Sequence, residues 1–124
     1  MNNEAIREYE YNATELKQSL VKLKYEVEGY VYNDQYEKVN MLYRLSDVKT
    51  KYVIYKGLFA RHDKALSDEL EEKVINDIED HILSDFEKIV LQNTEEQDKG
   101  FVENTILQSI EEAIAGIPKQ VFFK

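Results

Sequence analysis

The chain has 124 residues, of which 43% are apolar and 33% are charged, and it contains no cysteine. This length suits one compact domain, and this apolar content is enough to form a core. The missing cysteines exclude disulfides, cysteine-ligated zinc and thiol catalysis. No apolar run approaches the ~18 residues of a membrane-spanning helix, so we expect a cytoplasmic protein without a membrane partner.

Charge divides the chain into two parts. Residues 1–66 carry 10 acids and 11 bases, whereas residues 67–112 carry 15 acids and only 3 lysines. A segment this acidic repels phosphates and anionic lipids, so we expect no nucleic-acid partner. Two interpretations remain open: the acids only keep the protein soluble, or they form a surface for a basic partner.

Apolar residues of the C-terminal half recur with helical spacing. From Leu66 they stand at every fourth position, and acidic residues fill the opposite face. This spacing predicts an amphipathic helix over 67–92. Residues 93–100 lack apolar side chains and predict a loop. A second helix is predicted over 101–115, with Gly116 as its C-terminal stop.

Residues 20–60 show a different pattern. Apolar and charged residues alternate over 21–28, and residues 52–55 are all aromatic or β-branched. Both features are typical of half-buried strands. We therefore predict an α+β fold, in which an antiparallel β-sheet of three or four strands over 20–60 is followed by two packed helices. Residues 1–18 fit either a helix or a first strand.

An all-α bundle is the alternative fold. Eight apolar residues near the N-terminus follow the three- and four-residue steps of a heptad: Ile6, Tyr9, Ala13, Leu16, Leu20, Leu23, Val27 and Tyr30. Residues 4–30 could therefore form one long helix. Composition favours strands instead, because residues 21–32 hold six Val or Tyr and one Gly, which are weak helix formers.

Strands followed by two helices resemble the fold of the export chaperone SecB and its SecB-like relatives. Residues 51–59, an apolar run that closes on Gly57-Leu58-Phe59, are similar to the last strand of that fold. The apolar tail 117–124, which contains Pro118, resembles the extended segment after the family's last helix. The resemblance implies a homo-oligomer that holds other polypeptides in an extended form.

We expect such a protein to bind polypeptides through an apolar groove between the sheet and the helices. Tyrosine suits this role, because its ring is broad and apolar while its hydroxyl stays hydrated. The predicted contact residues are Tyr25, Tyr30, Tyr32, Tyr52, Val53, Tyr55 and Phe59. The alternative function is that of an acidic inhibitor or decoy, which binds a basic partner through the helical surface of residues 67–112.

Patterns typical of catalysis or metal binding are weak. Asp77, His81 and Asp85 stand four residues apart, so one helix face would present two carboxylates and an imidazole. Divalent metals accept these ligands, but such spacing arises readily by chance on so acidic a helix, and we predict no metal site. The chain has no glycine-rich phosphate-binding loop and no glycine-flanked serine. We therefore expect a non-enzymatic protein without cofactors.

Overall fold

A computed structural model describes residues 3–33, 35, 37–61, 73–92 and 99–117 of the chain. The described residues form four helices, which are α1 (Asn3–Asn33), α2 (Lys38–Arg61), α3 (73–92) and α4 (99–116). None of these residues lies in a strand. None of the four helices, as far as they are described, combines the length and apolar character that crossing a membrane requires.

The predicted sheet is wrong. Residues 20–33 continue α1 and residues 38–60 belong to α2, so the α+β fold class is replaced by the all-α alternative. The alternation over 21–28 misled the prediction because it overlaps the heptad: Leu23 and Val27 are buried in the helix, as they would be in a strand. Strand preference is a weak effect, which helix packing overrides here.

α1 follows the heptad spacing of the N-terminal segment. Its first half is helical from Asn3, which settles the open assignment of residues 1–18 for the described part. Six of the heptad side chains are buried: Tyr9, Ala13, Leu16, Leu20, Leu23 and Val27. Tyr30 is partly buried and packs against this core.

α3 and α4 each contain a π-helical stretch, Asp77–Phe86 in α3 and Val102–Ile106 in α4. On an α-helix of 3.6 residues per turn, side chains four positions apart drift about 40° around the axis at each step. A π-helical stretch has more residues per turn, so it brings the period closer to four. The four-residue apolar repeat of α3 therefore stays on one buried face: Val74, Ile78, Ile82, Phe86 and Val90.

The helices predicted in the C-terminal half correspond to α3 and α4. Of the range 67–92, the structure describes 73–92, and all of it is helical. The described part of α4 runs from Lys99, which falls inside the predicted loop, to Gly116. Ile117 is extended there, and its N–H donates to the carbonyl of Ala113 at 3.1 Å. The rest of the apolar tail lies outside the described residues.

α1 and α2 form an antiparallel pair. The hydroxyls of Tyr9, near the start of α1, and Tyr55, near the end of α2, are hydrogen-bonded at 3.0 Å. At the other end, the N–H of Gln35 donates to the carbonyl of Gly29 at 2.9 Å and closes the short connection. Such a short connection makes two consecutive helices antiparallel neighbours.

The remaining helices continue this alternation of direction. Lys56, near the end of α2, is 2.8 Å from Glu79, near the start of α3. Lys73, at the start of α3, is 2.8 Å from Glu112, near the end of α4. α4 then packs along α1, so the four helices close into a ring around a common core. The described residues thus form an up-and-down four-helix bundle.

Candidate functional site on the acidic helices

α3 distributes its acidic residues around its buried stripe. Asp77 and Asp85 each precede a buried position, and Asp77 shares Lys73 with Glu112 of α4. Glu79 and Glu87 each follow a buried position and line a groove with α2. Asp80 is exposed on the outer face. α3 therefore has an acidic edge on each side of its buried stripe, and Asp80 on its outer face.

The edge between α3 and α4, here called the α3–α4 seam, is held by one lysine. The ammonium of Lys73 lies 2.8 Å from Oε2 of Glu112 and 3.4 Å from Oδ2 of Asp77. These contacts raise the pKa of Lys73. The pKa of Glu112 is lowered, because Lys73 and Gln108 both donate hydrogen bonds to its carboxylate. Lys73 thus forms ion pairs with two carboxylates, those of Asp77 and Glu112.

Asp77 is the buried member of the seam. Burial raises the pKa of its carboxyl, and this effect outweighs the opposing attraction of Lys73. The negative charge of Glu112 acts in the same direction as burial. Removing a carboxylate from water disfavours its charged form, so Asp77 resists ionisation more than an exposed aspartate does.

His81 lies next to Asp77 in the seam. Its Nδ1 is 3.5 Å from Oδ2 of Asp85, and that nitrogen is buried without a hydrogen-bond partner. Within the described ranges, no three His, Asp or Glu side chains are grouped so that they could hold a metal ion. The face with Asp77, His81 and Asp85 is therefore a row of polar contacts along the seam.

The other edge of α3 forms a groove with α2, here called the α2–α3 groove. It has a volume of about 350 Å³ and is lined by Lys49, Tyr52, Val53, Lys56, Glu79, Leu83 and Glu87. Glu79 accepts hydrogen bonds from the hydroxyl of Tyr52 at 2.5 Å and from the ammonium of Lys56 at 2.8 Å. These two bonds lower the pKa of Glu79. Glu87 has no hydrogen bond or ion pair with the described residues.

The charges of the bundle are segregated by helix. α2 carries six bases and one acid, whereas the described parts of α3 and α4 together carry eight acids and three lysines. Bases of α2 approach acids of both neighbouring helices, since Lys51 lies 3.9 Å from Glu15 and Lys56 contacts Glu79. α3 and α4 nevertheless keep an acidic excess, which includes the exposed Asp80 and Glu103.

The residues predicted to contact polypeptide do not line one groove. Tyr52 and Tyr55 are buried in the core, at 4% exposure each. Tyr25, Tyr32 and Val53 are exposed.

Tyr30 and Phe59 complete the set of seven predicted contact residues. Tyr30 packs against the core and lies under the ammonium of Lys99, 5.6 Å from its ring centroid. The side chain of Phe59 lies outside what the structure describes. The seven residues were predicted to share one sheet surface, but those with described side chains lie in different environments on α1 and α2.

Sequence reasoning missed the α2–α3 groove. Glu79, Leu83 and Glu87 repeat every fourth residue beside the buried stripe, so their common edge is readable in the sequence. Their partners on α2 cannot be predicted while residues 52–55 are taken as a strand. The helical assignment of α2 was the missing step.

Fold and charge together define the class of the described residues as an acidic four-helix bundle. Comparison of the chain with protein-family models, with curated proteins and with solved structures gave no match.

Proposed function

We propose that the protein is a non-enzymatic binding protein, an acidic inhibitor or decoy that docks a basic partner on α3 and α4. The observation that carries this proposal is the acidic excess of these two helices, eight acids against three lysines in their described parts. The proposed setting is the cytoplasm, which a chain without cysteine suits.

Electrostatic attraction is the proposed source of recognition. A surface of one charge sign accelerates the approach of an oppositely charged partner and excludes partners of the same sign. The exposed Asp80 is accessible to such a partner, and the net charge of −9 adds a long-range attraction for basic proteins. The same charge disfavours nucleic acid as a partner.

The α2–α3 groove adds a short-range contact to this attraction. Val53 and Leu83 line it with apolar surface, and Glu87 offers a carboxylate there. A lysine or arginine side chain of a partner can lay its aliphatic stem on such apolar surface and direct its charged end to the carboxylate. Lys56 neutralises Glu79, so Glu87 is the proposed acceptor.

The polypeptide-holding role implied by the resemblance to SecB is less well supported. That role needs an apolar sheet surface, and the described residues form no strand. Two of its seven contact residues, Tyr52 and Tyr55, are buried in the core. Binding through the acidic helices needs no change in the bundle.

A pair of neutralised variants tests the proposal. The first is Asp80→Asn with Glu87→Gln on α3, and its control is Glu4→Gln with Glu10→Gln on α1, which changes the net charge by the same amount. A basic protein captured by the immobilised wild type is purified, and its Kd is measured by fluorescence anisotropy. The α3 variant is expected to bind about tenfold more weakly, a loss of about 1.4 kcal/mol, while the control stays within about twofold.

Salt provides the second part of the same test. Raising the salt concentration from about 50 to about 300 mM is expected to weaken binding strongly, because charges on a surface are screened. Equal losses in both variants would mean that only the total charge matters. Binding that resists salt would show that the acidic helices are not the docking surface.

A further inference from the structure

One corner of the α2–α3 groove already holds a cation, which is a lysine of the chain itself. The ammonium of Lys56 lies 2.8 Å from Oε2 of Glu79 and 6.0 Å from the ring centroid of Tyr52. A carboxylate and the face of an aromatic ring both attract a positive charge. These two groups, here called the Tyr52–Glu79 corner, therefore form a cation-binding arrangement inside the groove.

Tyr52 holds the carboxylate of this corner in place. Tyr52 is buried in the core, so packing fixes the position of its ring. Its hydroxyl donates a hydrogen bond of 2.5 Å to Oε2 of Glu79, and this bond does not depend on the lysine. A carboxylate that is fixed before binding loses less conformational freedom when a ligand arrives. The corner is thus prepared for a cation whether or not Lys56 is in it.

Lys56 itself is exposed and replaceable. Its side chain is 54% exposed, and that of Glu79 is 37% exposed. Ion pairs between side chains as exposed as these contribute little stability, because water screens the charges and the long side chain loses freedom. A cation of a partner can therefore take the place of Lys56 without disturbing the bundle.

The second oxygen of Glu79 favours arginine as the replacing side chain. Tyr52 and Lys56 both donate to Oε2, and no residue in the described ranges donates a hydrogen bond to Oε1. The planar guanidinium of arginine can donate to both oxygens of one carboxylate and can stack on an aromatic ring. The ammonium of lysine is a compact point charge without this geometry. The corner therefore offers an arginine more contacts than Lys56 makes there.

We propose that the Tyr52–Glu79 corner binds an arginine side chain of the basic partner, and that Lys56 occupies the corner until this arginine displaces it. This inference rests on the proposed function, because it names the partner residue that enters the α2–α3 groove. Glu87, in the same groove, remains the acceptor for a second basic residue. Lys56 is thus an autoinhibitory contact, since a site that is partly occupied binds its ligand with reduced apparent affinity.

Two labelled peptides, hexa-arginine and hexa-lysine, test the inference when their binding to the full chain is measured by fluorescence anisotropy. Lys56→Gln is expected to bind hexa-arginine about fivefold more tightly than the wild type, which corresponds to a corner that Lys56 occupies about four-fifths of the time. The same variant is expected to bind hexa-arginine at least about fivefold more tightly than hexa-lysine, because only a guanidinium uses both oxygens of Glu79.

Lys49→Gln is the matched control. Lys49 is exposed and lines the same groove, but it forms no hydrogen bond or ion pair with the described residues. The control changes the net charge by the same amount as Lys56→Gln. Its affinity for hexa-arginine is expected to stay within about twofold of the wild type, since it alters only the general attraction.

Glu79→Gln, added to Lys56→Gln, locates the effect. The double variant is expected to lose both the fivefold gain and the preference for hexa-arginine, because the carboxylate of the corner is gone. Circular dichroism of each variant verifies its fold, which these exposed positions permit.

Two results would overturn the inference: a Lys56→Gln variant that binds hexa-arginine no more tightly than Lys49→Gln does, or a gain that survives the addition of Glu79→Gln. Either result leaves binding through Asp80 and Glu87 in place. The proposed function fails by a different result, which is unchanged binding of the captured basic protein when Asp80 and Glu87 are neutralised.

Discussion

Asp77 is the one charged side chain that the described helices bury. Its position follows from the four-residue repeat of α3, which places it directly before the buried Ile78. Lys73 offsets part of the cost of burial, yet the pKa of Asp77 stays above its ordinary value. The folded state therefore binds a proton at Asp77 more tightly than the unfolded state does.

This shift predicts how stability depends on pH. An acid whose pKa is raised by folding binds protons more tightly in the folded state, so its contribution to stability grows as pH falls through the raised pKa. Burial disfavours the charged form of Asp77, so Asp77→Asn is expected to be at least as stable as the wild type at neutral pH. This advantage is expected to shrink as the pH falls towards the ordinary value of 3.8.

Urea unfolding at a series of pH values measures this difference. Glu103→Gln, which neutralises an exposed carboxylate on α4, serves as the control and is expected to change stability little at any pH. A loss of more than about 1 kcal/mol in Asp77→Asn at neutral pH would show that the ion pair with Lys73 outweighs burial.

Tyrosine shows how far residue type alone can mislead. All nine tyrosines lie between positions 9 and 55, and their number favoured strands. In the bundle, Tyr9 and Tyr55 are buried and hydrogen-bonded to each other, whereas Tyr25 is 67% exposed. The position of each tyrosine on its helix decides its environment, so the spacing carried information that the composition did not.

At the scale of helices, the sequence predicted correctly the helices whose apolar spacing repeats over many turns. The four-residue repeat indicated α3, and Gly116 marked the end of α4. The heptad of α1 was equally regular, but the alternation of residues 21–28 competed with it over one short segment. α2 was missed because its buried residues lie among exposed apolar ones such as Val53 and Ile54, which blurs the helical pattern.

The buried stripe of α3 predicts a sharp contrast between two neighbouring residues. Ile82 is completely buried, whereas Leu83 is partly buried beside the α2–α3 groove. Ile82→Ala is expected to lower the free energy of unfolding by about 2–5 kcal/mol, because it leaves a cavity in the core. Leu83→Ala is expected to cost less than about 1.5 kcal/mol, since less of its surface is removed from water.

Chemical denaturation of the two single variants provides the measurement. Similar losses for Ile82→Ala and Leu83→Ala would contradict the assignment of the buried stripe. A larger loss for Leu83→Ala would mean that the helix is rotated, which would move Glu79 and Glu87 away from the groove.

At the scale of the whole molecule, the bundle separates two kinds of surface. α3 and α4 carry the acidic excess, and α2 exposes the uncharged side chains of Val39, Tyr43 and Val53. The acidic surface follows from composition and was foreseen as the alternative function. The exposed side of α2 and the groove depend on α2 being a helix, so they could not be predicted while residues 20–60 were taken as a sheet.

The groove and the exposed side of α2 therefore rest on the helical state of the first sixty residues. Backbone Cα chemical shifts of residues 20–33 and 38–60, measured by NMR spectroscopy, test that state most directly. The bundle predicts helical shifts throughout both segments, including 21–28 and 52–55. Runs of strand-type shifts in those two places would contradict the bundle and, with it, the α2–α3 groove.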